Sequence, residues 1–388
     1  MVGSISSAEL DESLLRFAIH ARELSGLPLR TRAQGGVWHP PSRPEPPTAL
    51  QFARILSTHV PCLINDGLKD RAKLWNEWKS TQYLQTRMGE ERTFKVAITP
   101  NGRADDLVTI DNEGTTVFAL PHEEDMTFQS FIDALHPTSF SGSGSSRIAY
   151  LQSQNSNLTT SESSFGPLLD DLVDSESDAD TVSHPSWAAE AIGKLPEATN
   201  IWIGTSKNHY ENVFLVVRGV KIFTVIPPTE AHFLSGEDQF YPLYQWQSSA
   251  TSDSSSTAEL ELKSVPESHP TPWIPIDPLP PQTPARVPLR PQPPKHVQDR
   301  WDLYRSELDP LRIEVRAGQM LYLPAGWFHA VEQVEDSPLS SGKAGPGICL
   351  GINWWWESEV GDRWAWLSLS RELDRRVKGV FEDDEEMI

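Results

Sequence analysis

Apolar residues recur at helical spacing through the first part of the chain. Residues 7–21, 48–58 and 69–88 each place apolar side chains three or four positions apart, the spacing of one face of an α-helix. The pattern therefore predicts a helical N-terminal region over residues 1–90.

From residue 91 the pattern changes to short apolar segments separated by turn residues. Many short strands with such punctuation indicate an all-β sandwich or barrel, and Gly219 marks a tight hairpin between two of them. Helical spacing returns near the C-terminus, so the β domain is predicted over 91–370, and the end of a C-terminal helix with an acidic tail over 371–388. The predicted strands are 94–99, 148–152, 200–204, 213–217, 221–226, 313–316, 320–323, 329–334 and 348–354, and the predicted C-terminal helix is 363–378.

Polar stretches interrupt the predicted β domain. Residues 138–146 are rich in Gly and Ser, residues 159–181 in acidic residues and Ser, and residues 247–296 in Ser and then Pro. Such segments bury little apolar surface, and proline removes backbone donors. The sequence predicts inserts without packed structure at about 159–181 and 247–296.

Composition excludes several classes of protein. The 388 residues carry 33 Lys and Arg against 54 Asp and Glu, a net charge of −21, and a nucleic-acid binder needs a basic face. The chain lacks the run of about 18 apolar residues that a membrane-spanning helix needs, and its N-terminus does not read as a secretory leader. With two cysteines there is no disulfide framework. We expect a cytoplasmic or nuclear protein.

A histidine follows a turn near the end of the predicted β domain. A Gly turn leads into the strand 320–323, Pro324 and Gly326 turn the chain, and His329 opens the next strand. Neutral imidazole at the mouth of a barrel can be a metal ligand. The alternative is an ordinary core or surface histidine.

A lysine follows the hairpin turn at Gly219. Lys221 lies just beyond this turn, downstream of the polar segment 200–212. A lysine near the mouth of a barrel can pair with a dicarboxylate ligand. The alternative is a solvated hairpin charge.

Two segments together resemble a known family. Residues 315–329 and 210–228 are similar to the JmjC domain of the cupin superfamily, and within it to the bifunctional peptidase and (3S)-lysyl hydroxylase subfamily. Further similar stretches follow in order between about residues 46 and 370, outside the inserts. They are 46–51, 61–64, 97–105, 150–158, 187–196, 272–273 and 353–355.

The resemblance implies a fold and a reaction. It implies a mostly β protein, a double-stranded β-helix (jelly roll) with an N-terminal helical region and C-terminal helices. It also implies Fe(II) as cofactor, 2-oxoglutarate as co-substrate and hydroxylation of a protein lysine. Two histidines and one carboxylate would hold Fe(II) on one face. The resemblance further implies a translation-associated GTPase as protein substrate and a homodimer formed through the C-terminal helices.

Family roles carry over to five positions of this chain. His329 matches the distal histidine ligand of the metal, and Lys221 matches the lysine that binds the distal carboxylate of 2-oxoglutarate. Asn212 and Tyr150 match polar positions that line the co-substrate pocket. Asn353 matches a pocket position on the last strand.

The remaining two metal ligands depart from the family pattern. The family has a His-x-Asp motif just before the stretch that matches residues 210–212. Counting back puts Ser206 at the histidine position and Asn208 at the aspartate position, and Asn208 offers only a weak amide oxygen. The segment between Gly204 and Val213 is also shorter than its counterpart in the family.

A shifted metal site is the one substitute that the sequence offers. His209 and Glu211 form a His-x-Glu pair. Side chains alternate between the two faces of a regular strand, so this pair would replace residues 208 and 212 only after a slip in register.

Three hypotheses follow from the missing motif. The chain is a working hydroxylase with a ligand from an unmatched residue such as His209, or a pseudoenzyme that binds a partner protein or 2-oxoglutarate through Lys221. The third is a shortened gene model of an active enzyme that lacks codons near Gly204. No peptidase motif such as His-Glu-x-x-His is present.

Overall fold

The computed structural model describes residues 6–31, 36–103, 105–110, 114–135, 147–151, 156–172, 183–202, 210–235, 239–249, 259–279, 290–336, 347–358, 368–369 and 372–373. These are the described residues. Among them no helix combines the length and the apolar character that a membrane crossing requires.

Helices dominate the first part of the described chain and strands the rest. The α-helices are α1 (Ser7–Leu24), α2 (Ala49–Thr58), α3 (Ala72–Glu77), α4 (Thr81–Met88), α5 (Phe128–Leu135), α6 (Ser186–Ile192) and α7 (Lys295–Glu307), with 3-10 helices at Gly166–Asp171 and Pro228–Leu234. The strands in the first half are β1 (Ser42–Arg43), β2 (Cys62–Asn65), β3 (Thr93–Thr99), β4 (Asp106–Thr109), β5 (Thr116–Leu120), β6 (His122–Thr127), β7 (Ile148–Tyr150) and β8 (Ala198–Trp202). The later strands are β9 (Glu211–Arg218), β10 (Val220–Ile226), β11 (Phe240–Tyr241), β12 (Leu243–Ser248), β13 (Leu260–Ser264), β14 (Thr271–Pro272), β15 (Leu311–Arg316), β16 (Gln319–Leu323), β17 (Phe328–Val334) and β18 (Leu350–Trp356).

Two sheets form the jelly roll. The major sheet has the strand order β1-β2-β16-β9-β18-β8, and the minor sheet has the order β15-β10-β17. All pairs in both sheets are antiparallel except β1 with β2. The predicted fold class, mostly β with helical additions, is confirmed.

The faces of the two sheets that look toward each other enclose one apolar core. Phe214 of the major sheet meets Phe223 of the minor sheet edge to face, with ring centroids 5.3 Å apart. Because side chains alternate along each strand, this contact identifies the inward face of β9 and β10. The residues two positions away on each strand, Asn212 and Lys221, share that face.

The opposite face of the major sheet is covered by helices. Tyr322 of β16 packs against Phe52 of α2 at 5.3 Å between ring centroids, and Phe52 in turn meets Trp187 of α6 at 4.7 Å. Trp354 and Trp356 of β18 are fully buried in the same cluster. Burying such aromatic side chains contributes roughly 1.5–3 kcal/mol each, so the helical layer is part of the core.

The predicted hairpin at Gly219 joins β9 to β10. Gly219 has φ +75°, and a Cβ atom there would lie 2.5 Å from the Val334 carbonyl oxygen. Only glycine meets both demands without strain. The turn therefore fixes where Lys221 enters the minor sheet.

The predicted helices of the N-terminal region are present with one difference. Capping boxes start α1 at Ser6 and α2 at Thr48, but residues 69–88 form two helices, α3 and α4. The break occurs because the Ser80 hydroxyl accepts a hydrogen bond from the Tyr83 N–H at 3.2 Å. A side chain that caps this way starts a new helix.

The two predicted inserts contain packed structure, which corrects the sequence prediction for the described parts of 159–181 and 247–296. A 3-10 helix at Gly166–Asp171 follows Phe165, which is buried in the main core. In the second insert β13 pairs with β12 over five residue pairs. The inserts contain few apolar residues, but some of them are buried in the main core. Residues 138–146 and most of the predicted C-terminal helix lie outside the described residues.

A buried ion pair joins α1 to the 3-10 helix that follows β10. The Arg22 guanidinium donates to both carboxylate oxygens of Glu230, at 2.6 and 2.8 Å, and both side chains are fully buried. The Tyr304 hydroxyl of α7 donates to the same carboxylate at 2.9 Å. Three elements that are distant in sequence therefore meet at one charge pair.

Candidate functional site

Lys221 and His329 lie on the same inward face of the minor sheet. Strand β10 pairs Lys221 with Gln333 of β17, and it pairs Val225 with His329. Positions two and four apart on a strand share a face. The sheet thus presents an imidazole and an ammonium group to the interior of the jelly roll.

Packing and one hydrogen bond orient the His329 ring. The side chain is 8 % exposed, and its ring centroid lies 6.4 Å from that of Phe223. Its Nδ1 lies 3.2 Å from the Trp327 carbonyl oxygen. Because a carbonyl only accepts, Nδ1 carries the proton in the neutral ring, and the lone pair is on Nε2.

Lys221 is completely buried on the inward face of the minor sheet. Its Nζ donates to the Gln333 Oε1 at 2.7 Å. Burial lowers the pKa of Lys221, and the nearby Cys349 counteracts part of that shift. A buried ammonium held by an amide oxygen is costly to keep charged, which suits a site that receives an anion.

An amide network occupies the inward face of the major sheet. The Asn353 Oδ1 accepts from the Trp202 indole N–H at 2.6 Å and from the Asn200 Nδ2 at 3.4 Å. Because indole only donates, these bonds fix the amide orientation. The Asn353 Nδ2 then donates to the Asn212 Oδ1 at 3.2 Å, and Asn212 keeps its Nδ2 as a donor.

Tyr150 lies on β7, in a smaller sheet with the order β6-β3-β7. Its side chain is 5 % exposed, and its hydroxyl makes no hydrogen bond in the described part of the chain. Burial raises the pKa of Tyr150, and Asp105 and Glu123 raise it further. The hydroxyl therefore stays protonated at neutral pH.

The structure brings together some of the predicted site residues. Asn212 and Asn353 are hydrogen-bonded, and His329 connects to the major sheet through Phe223 and Phe214. No hydrogen bond or ring contact of the described residues links Tyr150 to these groups.

Glu211 lies on the opposite face of the major sheet from His329. Its carboxylate accepts from the Tyr322 hydroxyl at 2.7 Å and from the Ala325 N–H at 3.2 Å. Tyr322 belongs to the helix-covered cluster. The described register thus keeps Glu211 away from the inward face. Asn208 and His209 lie outside the described residues.

The cupin-like domain family matches residues 47–362, which include both sheets of the jelly roll. The chain belongs to the cupin-like JmjC family. This family comprises 2-oxoglutarate oxygenases.

Three JmjC relatives match most of the chain. It is 32 % identical over 346 residues to the Homo sapiens protein named bifunctional peptidase and (3S)-lysyl hydroxylase JMJD7, which covers 85 % of this chain and 88 % of the relative. It is 30 % identical over 355 residues to JmjC domain-containing protein E of Dictyostelium discoideum, covering 87 % and 90 %. It is 30 % identical over 337 residues to lysine-specific demethylase JMJ32 of Arabidopsis thaliana, covering 84 % of each.

The described donors do not fit the iron site that JmjC oxygenases use. Iron needs two imidazoles and a carboxylate on one face. Among the described residues, the inward faces offer one imidazole, His329, and four amides whose oxygens already accept hydrogen bonds, Asn200, Asn212, Gln333 and Asn353. No group of three or more metal-ligating side chains occurs among the described residues.

Replacing Glu211 with alanine is expected to destabilise the fold. The change leaves the Tyr322 hydroxyl and the Ala325 N–H without their acceptor, and a hydrogen bond to a charged group is worth about 1.5–3 kcal/mol. Urea unfolding followed by circular dichroism would measure this loss. Glu357→Ala, at an exposed position one residue beyond β18, is the matched control. If the variant keeps wild-type stability but loses a Mn(II) affinity that the wild type has, the shifted metal site is correct.

Three neighbours of the site were not predicted from the sequence. Gln333 contacts Lys221, while Asn200 and Trp202 hold the Asn353 oxygen. Strand alternation is the signal that could have identified Gln333, because Gln333 and His329 lie four residues apart on β17 and share a face. Asn200 and Trp202 likewise share a face of β8, the strand that pairs with β18 beside Asn353.

Proposed function

We propose that this chain is a lysyl hydroxylase-like JmjC protein that binds 2-oxoglutarate through Lys221 and recognises a protein lysine. As the sequence stands, it acts by binding, because two of the three iron ligands are missing. The identity of 32 % to a named (3S)-lysyl hydroxylase supports the lysine preference. The −21 net charge favours a basic protein segment as partner.

Lys221 is the observation that carries this proposal. Its ammonium is fully buried on the inward face, where it donates to the amide oxygen of Gln333. Bringing a carboxylate beside it would compensate the buried charge, because close pairing in a low dielectric is strong. A distal carboxylate of 2-oxoglutarate supplies that group.

The amide network supports an anionic ligand as well. Asn353 directs its oxygen toward Trp202 and its Nδ2 toward Asn212, so Asn212 presents an N–H to the interior. N–H donors suit a carboxylate oxygen and do not coordinate a cation. Both sheets thus present hydrogen-bond donors inward.

A second function, active hydroxylation, is favoured by the ring orientation of His329. Its Nδ1 hydrogen bond to the Trp327 carbonyl leaves the lone pair on Nε2, as in metal-bound histidines. Activity requires two further ligands from residues 203–209 or from codons missing there. Transcript reads across codons 200–212 that contain no additional in-frame His-x-Asp would rule out the missing codons.

Separate titrations with 2-oxoglutarate and Mn(II) test the proposed function. Isothermal titration calorimetry should detect 2-oxoglutarate binding without metal and no stoichiometric Mn(II) binding. The affinity for 2-oxoglutarate should fall as pH rises, beginning below the ordinary pKa of lysine, because burial lowers the pKa of Lys221 and the neutral amine does not attract the carboxylate. Tight Mn(II) binding together with turnover would show that the chain is an active hydroxylase and not a binding protein. Absence of 2-oxoglutarate binding at every pH would refute both.

A further inference from the structure

A cavity lies between α2 and the edge of the major sheet. Its volume is about 490 Å³, and Cys62 of β2 forms part of its wall. Cys62 pairs with Tyr322 of β16, whose ring packs against Phe52 of α2. The cavity is therefore on the helix-covered side of the major sheet, away from the interior that contains Lys221.

One face of α2 lines this cavity. The lining residues of the helix are three or four positions apart, at Gln51, Arg54, Ile55 and Thr58. Residues with this spacing are neighbours on the surface of an α-helix. The helix buries Phe52 in the main core and presents a second, mostly polar face to the cavity.

Two arginines line the cavity without an ion-pair partner. Arg43 of β1 is half-buried and Arg54 of α2 is exposed, and neither guanidinium forms an ion pair with any residue that the structure describes. The described wall contains no Asp or Glu, although the chain has 54 acidic residues against 33 basic ones. A concave site lined by one sign of charge attracts ions of the opposite sign. We call this site the arginine cavity.

Two neutral groups add hydrogen-bond donors to the arginine cavity. The Thr48 backbone N–H donates to the Gln51 Oε1 at 3.0 Å, which fixes the amide orientation and leaves the Gln51 Nε2 as a donor. The Ser25 hydroxyl, at the end of α1, also lines the site. The Thr58 hydroxyl already donates to the Ile55 carbonyl at 2.7 Å. The polar lining thus consists mainly of donors.

The thiol in the wall does not neutralise the arginines. Arg43 pairs with Ile64 of β2, two positions beyond Cys62, so Arg43 and Cys62 lie on the same face of the sheet. Burial raises the pKa of Cys62 to about 11, and the charge of Arg43 counteracts part of that shift. The thiol is therefore uncharged at neutral pH.

We propose that the arginine cavity binds a small organic phosphate, with Arg43 and Arg54 contacting the phosphate group. A phosphate monoester carries a charge of about −1.5 to −2 at neutral pH and three acceptor oxygens. That charge matches two guanidinium groups, whose planar donors suit phosphate oxygens, whereas a single carboxylate would leave one arginine uncompensated. Ile55 and Val60 supply an apolar wall for the organic part, and the volume is typical of small-molecule sites.

Isothermal titration calorimetry of the full chain with phenyl phosphate tests the proposed ligand class. Phenyl sulfate has the same ring with a single charge, and inorganic phosphate lacks the ring. Phenyl phosphate should bind more tightly than both, and its affinity should fall as pH decreases through about 6, where the phosphate gains a proton. Saturating 2-oxoglutarate should not displace it, because Lys221 is on the other side of the major sheet.

Charge-removing variants locate the binding. Arg43→Gln should weaken phenyl phosphate binding about tenfold, as expected for hydrogen bonds to a charged group. Arg54→Gln, at an exposed position where folding is not at risk, should weaken it about threefold. Arg16→Gln is the matched control, because Arg16 is exposed on α1 and paired with Glu12 at 3.8 Å; it should bind as the wild type does.

Three results would overturn the proposal. They are absence of phenyl phosphate binding to the wild type, an unchanged affinity in both Arg43→Gln and Arg54→Gln, and displacement of phenyl phosphate by 2-oxoglutarate. Equal affinities for phenyl phosphate and inorganic phosphate would overturn the organic part of the ligand. Titration of 2-oxoglutarate into the same variants tests the proposed function separately, since neither variant alters Lys221.

Discussion

Lys221→Met should lose most 2-oxoglutarate binding while the fold remains intact. Truncating one partner of a buried, hydrogen-bonded charge pair costs about 2–5 kcal/mol. At 1.4 kcal/mol for each factor of ten, the affinity should fall by roughly 30-fold or more. Calorimetric titration of wild type and variant at neutral pH gives this ratio directly.

The same substitution should have a distinctive effect on stability. Burial lowers the pKa of Lys221 in the folded chain, so the unfolded chain binds the proton more tightly. Wild-type stability is therefore reduced below the lowered pKa, and it recovers as pH rises from that pKa toward the ordinary value. Methionine has no charge to bury, so the stability of Lys221→Met relative to wild type should be greatest at neutral pH and should decline as pH rises.

An exposed lysine provides the matched control. Lys95 is bonded to Asp125 on the surface, and Lys95→Met should change neither 2-oxoglutarate affinity nor the pH dependence of stability by a large factor. Should Lys221→Met bind 2-oxoglutarate as tightly as wild type, Lys221 is not the carboxylate-binding residue. The proposed function would then lose its principal support.

Glu230→Gln should be among the most destabilising single substitutions in the described chain. It leaves the Arg22 guanidinium charged and fully buried without its carboxylate, and breaking a buried pair in this way costs about 3–5 kcal/mol. Chemical unfolding measured at neutral pH should show the loss.

A compensating variant separates the buried charge from packing. Replacing Arg22 and Glu230 with methionine, together with Tyr304→Phe, removes the charges and the hydroxyl that bonds them. Apolar replacement of a whole buried pair is often neutral or stabilising, so the triple variant should be more stable than Glu230→Gln alone. Asp299→Asn, in an exposed pair with Lys295, should cost less than about 1 kcal/mol. If Glu230→Gln lowers the free energy of unfolding by no more than Asp299→Asn does, burial does not strengthen the pair of Arg22 with Glu230.

The fold was largely predictable because alternation and helical spacing report directly on burial. The strands around Lys221 and His329 follow from alternating apolar residues, and the hairpin follows from Gly219. The prediction failed for the polar insert 247–296, because β13 pairs through its backbone with few apolar side chains. Backbone hydrogen bonds do not depend on the type of side chain, so amino-acid composition does not reveal them.

The site was only partly predictable, because its partners come from other strands. A single sequence indicates that Asn353 is polar within an apolar strand, but only the sheet order places it between Asn212 and Asn200. The acidic surroundings of Tyr150 were missed for the same reason. Glu123 lies opposite Ala97 on β6, two strands from Tyr150, and the spacing of residues along the chain does not reveal this relation.

The connection between β8 and β9 can change length without disturbing the rest of the fold. Strand β8 ends at Trp202 and β9 begins at Glu211, and β18 pairs with both and lies between them. The register of each strand is thus fixed by β18 and not by the connecting residues. A chain with the family's metal motif in this connection and a chain without it would therefore share one scaffold.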